Sequence, residues 1–186
     1  NLKFGLIMTS SLTMGASYSV GPIRFVARPI ISQVFWLILW PAMYTAVYLA
    51  LGGDFWRGGW YLLATVVFMG IGETLAKDLR DLDNDTAAGK RTTPVVYGAR
   101  RSALAAVAAM ALGSVLMLIA ILLSNLGVVP ALAVGTVLWL WIVAAIGAAR
   151  RLSSTEFDKA AARIMHLGSI RTFLTVNLLL IVALAR

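Results

Sequence analysis

The stretch Ser102–Ser124, SALAAVAAMALGSVLMLIAILLS, runs 23 residues without an ionisable group. A helix of about 20 apolar residues is what a hydrocarbon core of about 30 Å requires, so this run reads as a membrane crossing. Working outward from it, residues 29–51, 58–76, 129–149 and 167–185 have the same length and character. Residues 2–18 form a sixth, more polar run, because Lys3 and several Ser and Thr interrupt it as they would in a helix facing a polar cavity. Strands crossing a membrane must close into a barrel and alternate with period two, and no such alternation occurs here. The expected fold is therefore all-α, a polytopic transmembrane helix bundle forming one domain over residues 1–186.

Composition agrees with that reading. The chain is 60% hydrophobic and 13% charged, and its mean hydropathy of +0.87 lies far above that of a water-soluble domain. Cationic residues gather at alternate span ends: Arg24 and Arg28, then Lys77 through Arg101, then Arg150, Arg151, Lys159 and Arg163. The opposite ends hold only Lys3, Arg57 and Arg186. By the positive-inside rule, loops 21–28, 77–101 and 150–163 are expected to be cytoplasmic. The net charge of +8 is then topogenic and faces membrane lipids, not nucleic acid. With no cysteine and one histidine, disulfide frameworks, thiolate metal sites and histidine-cluster metals are excluded. Pro41 is expected to kink the second span, and Gly70 and Gly72 to soften the third. The alanines of the fourth span, Ala103, Ala105, Ala106, Ala108 and Ala109, suit close helix packing in lipid.

One loop concentrates the chemistry. Asp78, Asp81, Asp83 and Asp85 follow the third apolar run. On a helix turning about 100° per residue, Asp78, Asp81 and Asp85 fall within roughly 60° of one another and Asp83 points away. Hard divalent cations take oxygen ligands, and Mg²⁺ prefers one or two carboxylates plus waters and substrate phosphates. Lys77, Arg80, Lys90 and Arg91 alternate with these acids and suit phosphate oxygens. Glu73 lies upstream inside the apolar run, where an ionisable group is costly and usually functional. The 1-3-5 spacing of Asp81, Asp83 and Asp85 also suits calcium, but the required Gly and Glu are replaced by Thr86 and Thr92.

The run Asp78-Leu-Arg-Asp81-Leu-Asp-Asn-Asp85-Thr-Ala-Ala-Gly89-Lys90-Arg91-Thr92-Thr-Pro94 resembles the second aspartate-rich motif of UbiA-superfamily prenyltransferases, D-x-x-D-x-x-x-D followed by a Gly-Lys/Arg-Thr segment. The run Tyr18-Ser-Val-Gly-Pro22-Ile-Arg24, with Arg28-Pro29 after it, is similar to the loop after that family's fourth helix. The resemblance implies a bundle that binds a polyprenyl diphosphate through Mg²⁺, ionises it and passes the allylic cation to a lipophilic or aromatic acceptor such as a quinone precursor. It implies Asp81 and Asp85 as principal Mg²⁺ ligands and catalytic groups, with Asp78 supporting. Arg24, Arg80 and Lys90, together with Lys77 and Arg91, would serve the diphosphate, and Tyr18 would line the site. The family's first motif, N-x-x-x-D-x-x-x-D, does not occur in this chain. The expectation is therefore a match to helices four to nine of a longer protein, inactive as a segment alone.

Outside the loop, His166 reads as an interfacial residue near the lipid headgroups, and Arg171 as snorkelling to the basic face. Asn177 and Gln33 read as hydrogen-bonding across helices. Trp36, Trp40, Trp139 and Trp141 lie deep and read as packing or lipid-facing rings. Two rival functions fit less well. A CDP-alcohol phosphotransferase needs an Asp-Gly-x-x-Ala-Arg signature that is missing, and a transporter is expected to hold its polar residues near the bilayer midplane.

Overall fold

In a computed structural model of the chain, the described residues are 2–19, 28, 30–31, 34–35, 37–39, 41–42, 55–124, 126–152 and 157–184. In chain order they form α1 (Leu2–Ser19), α2 (Phe55–Thr65), a π-helical segment (Val66–Glu73), α3 (Thr74–Arg80), α4 (Leu82–Ala87), α5 (Thr93–Tyr97), α6 (Ala99–Leu123), α7 (Val128–Arg151) and α8 (Lys159–Leu184). No strand occurs among the described residues. The fold is an all-α transmembrane bundle.

Among the described residues, four helices are long and apolar enough to cross a membrane: Gly59–Arg80, which runs through the π segment, and then α6, α7 and α8. At 25 residues, α6 extends about 37 Å, more than the apolar thickness of a bilayer. Helix α1 covers the expected run 2–18. The run 29–51, with Gln33 and the bend expected at Pro41, lies for the most part outside the described residues.

The surface of the bundle explains why its natural solvent is lipid. Leu122, Val129, Trp139 and Leu178 are each more than half exposed, so α6, α7 and α8 are apolar on their outer faces as well as their inner ones. Helices apolar all round belong in a core or a bilayer. Inside, the span Gly59–Arg80 packs on α6, α6 on α7, α7 on α8, and α8 back on α3, closing a ring of four helices. Phe68, Met110, Met117, Val134, Met165 and Val176 fill its centre.

Glycine brings the backbones together where the ring is tightest. A Cβ on Gly113 would lie 2.7 Å from the backbone nitrogen of Phe68, and one on Gly72 would lie 2.6 Å from Cγ of Met110. Gly72 belongs to the stretch expected to be soft. It adopts π geometry, in which the Thr74 amide reaches back five residues to the Met69 carbonyl. Such wide turns are rare and concentrate at functional sites. Here the π segment runs directly into the aspartate-bearing turn. Of the alanines in α6, Ala103 and Ala106 are fully buried, while Ala105 and Ala108 face outward.

The charged ends converge. Arg80, Arg100 and Arg101, Arg150 and Arg151, and Lys159 all terminate or begin spans at one end of the ring, as up-and-down connection of neighbouring spans requires.

Candidate metal and diphosphate site

The helix carrying the aspartates does not continue straight through them. It breaks at Asp81, whose φ of −92° and ψ of 3° close α3 and open α4. Helix α4 then stops at Gly89, which takes the left-handed φ of 64° that glycine adopts without a Cβ penalty. The Lys90 amide donates to the Asp85 carbonyl at 2.9 Å and the Gly89 amide to the Thr86 carbonyl at 3.1 Å. These are the two bonds of a Schellman turn, and they fold Lys90 back over Asp85. Pro94 sits in the first turn of α5, where its missing N–H costs nothing. Helix α5 then packs on α3 and α6, and Gly98, at φ 86°, turns the chain into α6.

The acidic groups acquire specific partners in this turn. Arg80 grips Asp81 with both ends of its guanidinium, Nε to Oδ1 and Nη2 to Oδ2, each at 2.8 Å. That bidentate bond, reinforced by the charges of Arg80 and Lys77, holds the Asp81 carboxyl below its ordinary range against the opposing effect of partial burial. Lys77 Nζ stands 4.0 Å from Asp81 Oδ2. Lys90 Nζ donates to Asp85 Oδ1 at 2.8 Å. Asp78 and Asp85 are buried. Asp83, pointing away on an ideal helix, reaches α8 instead and pairs with Lys159 at 2.6 Å. Arg91 is exposed on the turn. Arg24 lies outside the described residues, as does the side chain of Tyr18. Among the described residues, no three His, Asp or Glu side chains converge into a ready-made metal cage.

Beside the turn opens a cavity of about 770 Å³. Arg80, Asp83 and Asn84 form one wall, and Lys159, Arg163 and Arg171 of α8 form the other. Four cations therefore line it against one carboxylate. Arg171 is exposed into this space, as its expected reach toward the basic face requires. The residues of α8 were not anticipated at this site. Their signal is nonetheless present: Lys159, Arg163 and Arg171 are spaced by multiples of four, which puts them on one helix face.

A model of the UbiA prenyltransferase family matches residues 1–183. The chain belongs to that family. No curated protein and no solved structure matches it. Membership makes this UbiA protein a prenyltransferase-family member of the membrane, and the aspartate turn and cationic cavity are the parts of it that suit a diphosphate.

The structure corrects one reading and supports another. His166 does not lie on the helix surface as expected of an interfacial residue: it is buried between helices, with Nδ1 2.8 Å from Oε1 of Glu73. The ring N–H is not aimed along that line, so the two groups stand in close polar contact without an aligned hydrogen bond. Asn177 bonds across helices as expected, its Oδ1 accepting from the Tyr61 hydroxyl at 3.0 Å. Of the deep tryptophans, Trp36 and Trp40 lie outside the described residues, Trp141 packs inside and Trp139 faces out.

Proposed function

We propose that this protein is a Mg²⁺-dependent intramembrane prenyltransferase that moves a polyprenyl group from its diphosphate to a lipophilic or aromatic acceptor. The observation that carries the reading is the cationic cavity beside a turn of carboxylates, both at the interfacial end of apolar spans. A polyprenyl diphosphate has that same polarity: a polyanionic head at the interface and a hydrocarbon tail for the helix walls.

The donor set fits magnesium. Mg²⁺ takes few protein carboxylates and keeps waters and substrate phosphates, so a closed cage of three acids is not needed. Asp81 and Asp85 would hold it, with Asp78 behind them. When bound, it would neutralise charge that develops on the leaving diphosphate.

The chain's own cations do related work. Arg80 and Lys90 each hold a carboxylate and can transfer to phosphate oxygens when those carboxylates are engaged elsewhere. Exchanging one ionic partner for another spares the cost of leaving any charge bare. Arg163, Arg171 and Lys159 extend the anion-binding wall, Lys77 and Arg91 add positive potential at its rim, and Arg24 and Tyr18 complete the diphosphate and catalytic set. The basic loops 21–28, 77–101 and 150–163 would lie in the cytoplasm, where the diphosphate is delivered, and the six runs from 2–18 to 167–185 would all be spans.

The test is transfer of a labelled prenyl group from its diphosphate to lipophilic acceptors in membranes carrying the protein. Activity is expected with Mg²⁺ and lost with chelator. Asp81→Ala is expected to lose more than the roughly tenfold to hundredfold typical of groups that only support a metal ligand. Product formation that persists in chelator, or in the Asp81→Ala protein, refutes the reading.

A further inference from the structure

The buried pair Glu73–His166 belongs to none of the roles above. Its geometry points to a further kind of residue. We propose that Glu73 and His166 are positioning residues, a buried clamp that sets the register of the aspartate-bearing helix against the cationic face of α8 and so shapes the cavity between them.

Three polar links join the span Gly59–Arg80 and the turn after it to α8: Tyr61 with Asn177, away from the cavity, and two that flank the cavity. At the rim, Asp83 meets Lys159 with side chains 51% and 74% exposed, and exposed pairs of that kind contribute little. Inside, Glu73 meets His166 with side chains 11% and 7% exposed. His166 lies seven residues beyond Lys159, about 10 Å further along the axis of α8. Arg163 lies between them, and Arg80 lies between Asp83 and Glu73. The cavity that Arg80 and Arg163 share is thus bracketed by the two links, and only the inner one is shielded from solvent.

Large apolar contacts between these elements include Phe68 stacked on Phe173 with ring centroids 6.4 Å apart. Near the clamp Leu79 and Met165 are buried together with Ala76, Ala161 and Ala162, and the alanines offer few ridges to resist sliding over that part of the contact. In lipid, moreover, no hydrophobic drive favours one apolar alignment over another. A buried polar contact discriminates sharply, because a slipped register leaves an ionisable group alone in hydrocarbon. Fixing register is the best-attested use of buried polar pairs.

The placement of Glu73 adds to this. It is the last residue of the π segment, where wide turns give way to α3, so anchoring it fixes the rotation with which α3 presents Asp78, Arg80 and Asp81.

The kinetic consequence rests on the reaction proposed above, so the test has one arm that does not. Because the chain has no cysteine, Asn84→Cys with Ala160→Cys provides two spin-label positions on opposite walls of the cavity. In the full-length protein in lipid nanodiscs, one narrow distance distribution is expected. Glu73→Gln or His166→Gln is expected to broaden or shift it, and the swap Glu73→His with His166→Glu to restore it in part. In the unlabelled proteins, either single change is expected to raise the KM for prenyl diphosphate by about tenfold or more while leaving the acceptor KM alone. The double change to Gln should cost no more than the worse single one. Distances that broaden in the single variants while the protein with Glu73 and His166 intact transfers no prenyl group uphold the clamp and sink the reaction instead. Distances that stay narrow in both single variants overturn the proposal, as does broadening with the diphosphate KM unchanged.

Discussion

Asp81 shows how one residue can serve local structure and chemistry together. Its backbone occupies the joint between two helices and its two oxygens are both held by Arg80. Lysine could not replace that arginine, since an ammonium is a point charge without a planar fork. Gly168 shows a different necessity. It lines the cavity, and a Cβ added to it would overlap the ring of the buried Trp141. A buried indole moves as a plate and cannot yield locally. Gly168→Ala is therefore expected to destabilise the protein by about 1–3 kcal/mol, the usual cost of overpacking. Thermal unfolding in detergent will show it, and Trp141→Leu in the same chain should recover part of the loss by freeing the space. Equal melting temperatures for Gly168→Ala and wild type would mean that α7 and α8 can separate there without cost.

At the scale of single elements, α8 has an N-terminus secured by a residue that the motif reading did not use. Asp158 Oδ1 accepts from the Ala161 amide at 2.9 Å, and Oδ2 accepts from Arg151 Nε at 2.8 Å. This is an N-cap, satisfying one of the amides that a helix start leaves without a partner. The backbone bond is the largest cause holding the Asp158 carboxyl below its ordinary 3.8, and the Arg151 bond adds to it. A carboxyl lowered by folding stabilises the fold above its unfolded value and loses that contribution as pH falls through its folded value. Hydrogen exchange in the first turn of α8 is thus expected to quicken in Asp158→Ala at neutral pH. The difference from wild type should vanish at pH well below 3.8. A difference that persists in acid would assign the effect to something other than the ionised cap. The end of α7 is tied to the start of α8 through the same carboxylate, which fixes the cavity wall from below.

The whole molecule is organised by the sidedness of its charge. Among the described residues, four candidate spans alternating in direction gather Arg80, Arg100, Arg101, Arg150, Arg151 and Lys159 at one end, so the cavity, the aspartate turn and the α7–α8 junction share one face. If that face is cytoplasmic, single cysteines introduced at Ala88 and Val128 should label from opposite sides of intact vesicles, Ala88 from the cytoplasmic one. Labelling of both from one side would break the up-and-down arrangement, and Ala88 labelled from outside would reverse the orientation.

Much of this was legible in one dimension. Span length and apolar content are sums over neighbouring residues, so the crossings at 102–124 and 129–149 and the all-α class follow from the sequence with no knowledge of contacts. Charge alternation likewise needs only the order of the loops. The aspartate turn was visible because its residues are close along the chain, and Gly89 marked the place where it had to fold back. An ideal helix, however, extrapolates past the break at Asp81, so Asp83 could be assigned to the cavity wall only by the fold. His166 reads as interfacial from its position alone, and nothing local connects it to Glu73. That pairing, and the cavity that Arg80 shares with Arg163 and Arg171, arise because α3 packs on α8. Such adjacency is a property of two distant segments at once. Sequence determined the apolar helices, the order of their charged ends and the carboxylate-rich turn, while tertiary structure alone decided which distant charges meet, because a buried polar group needs a partner and only packing brings distant segments within reach.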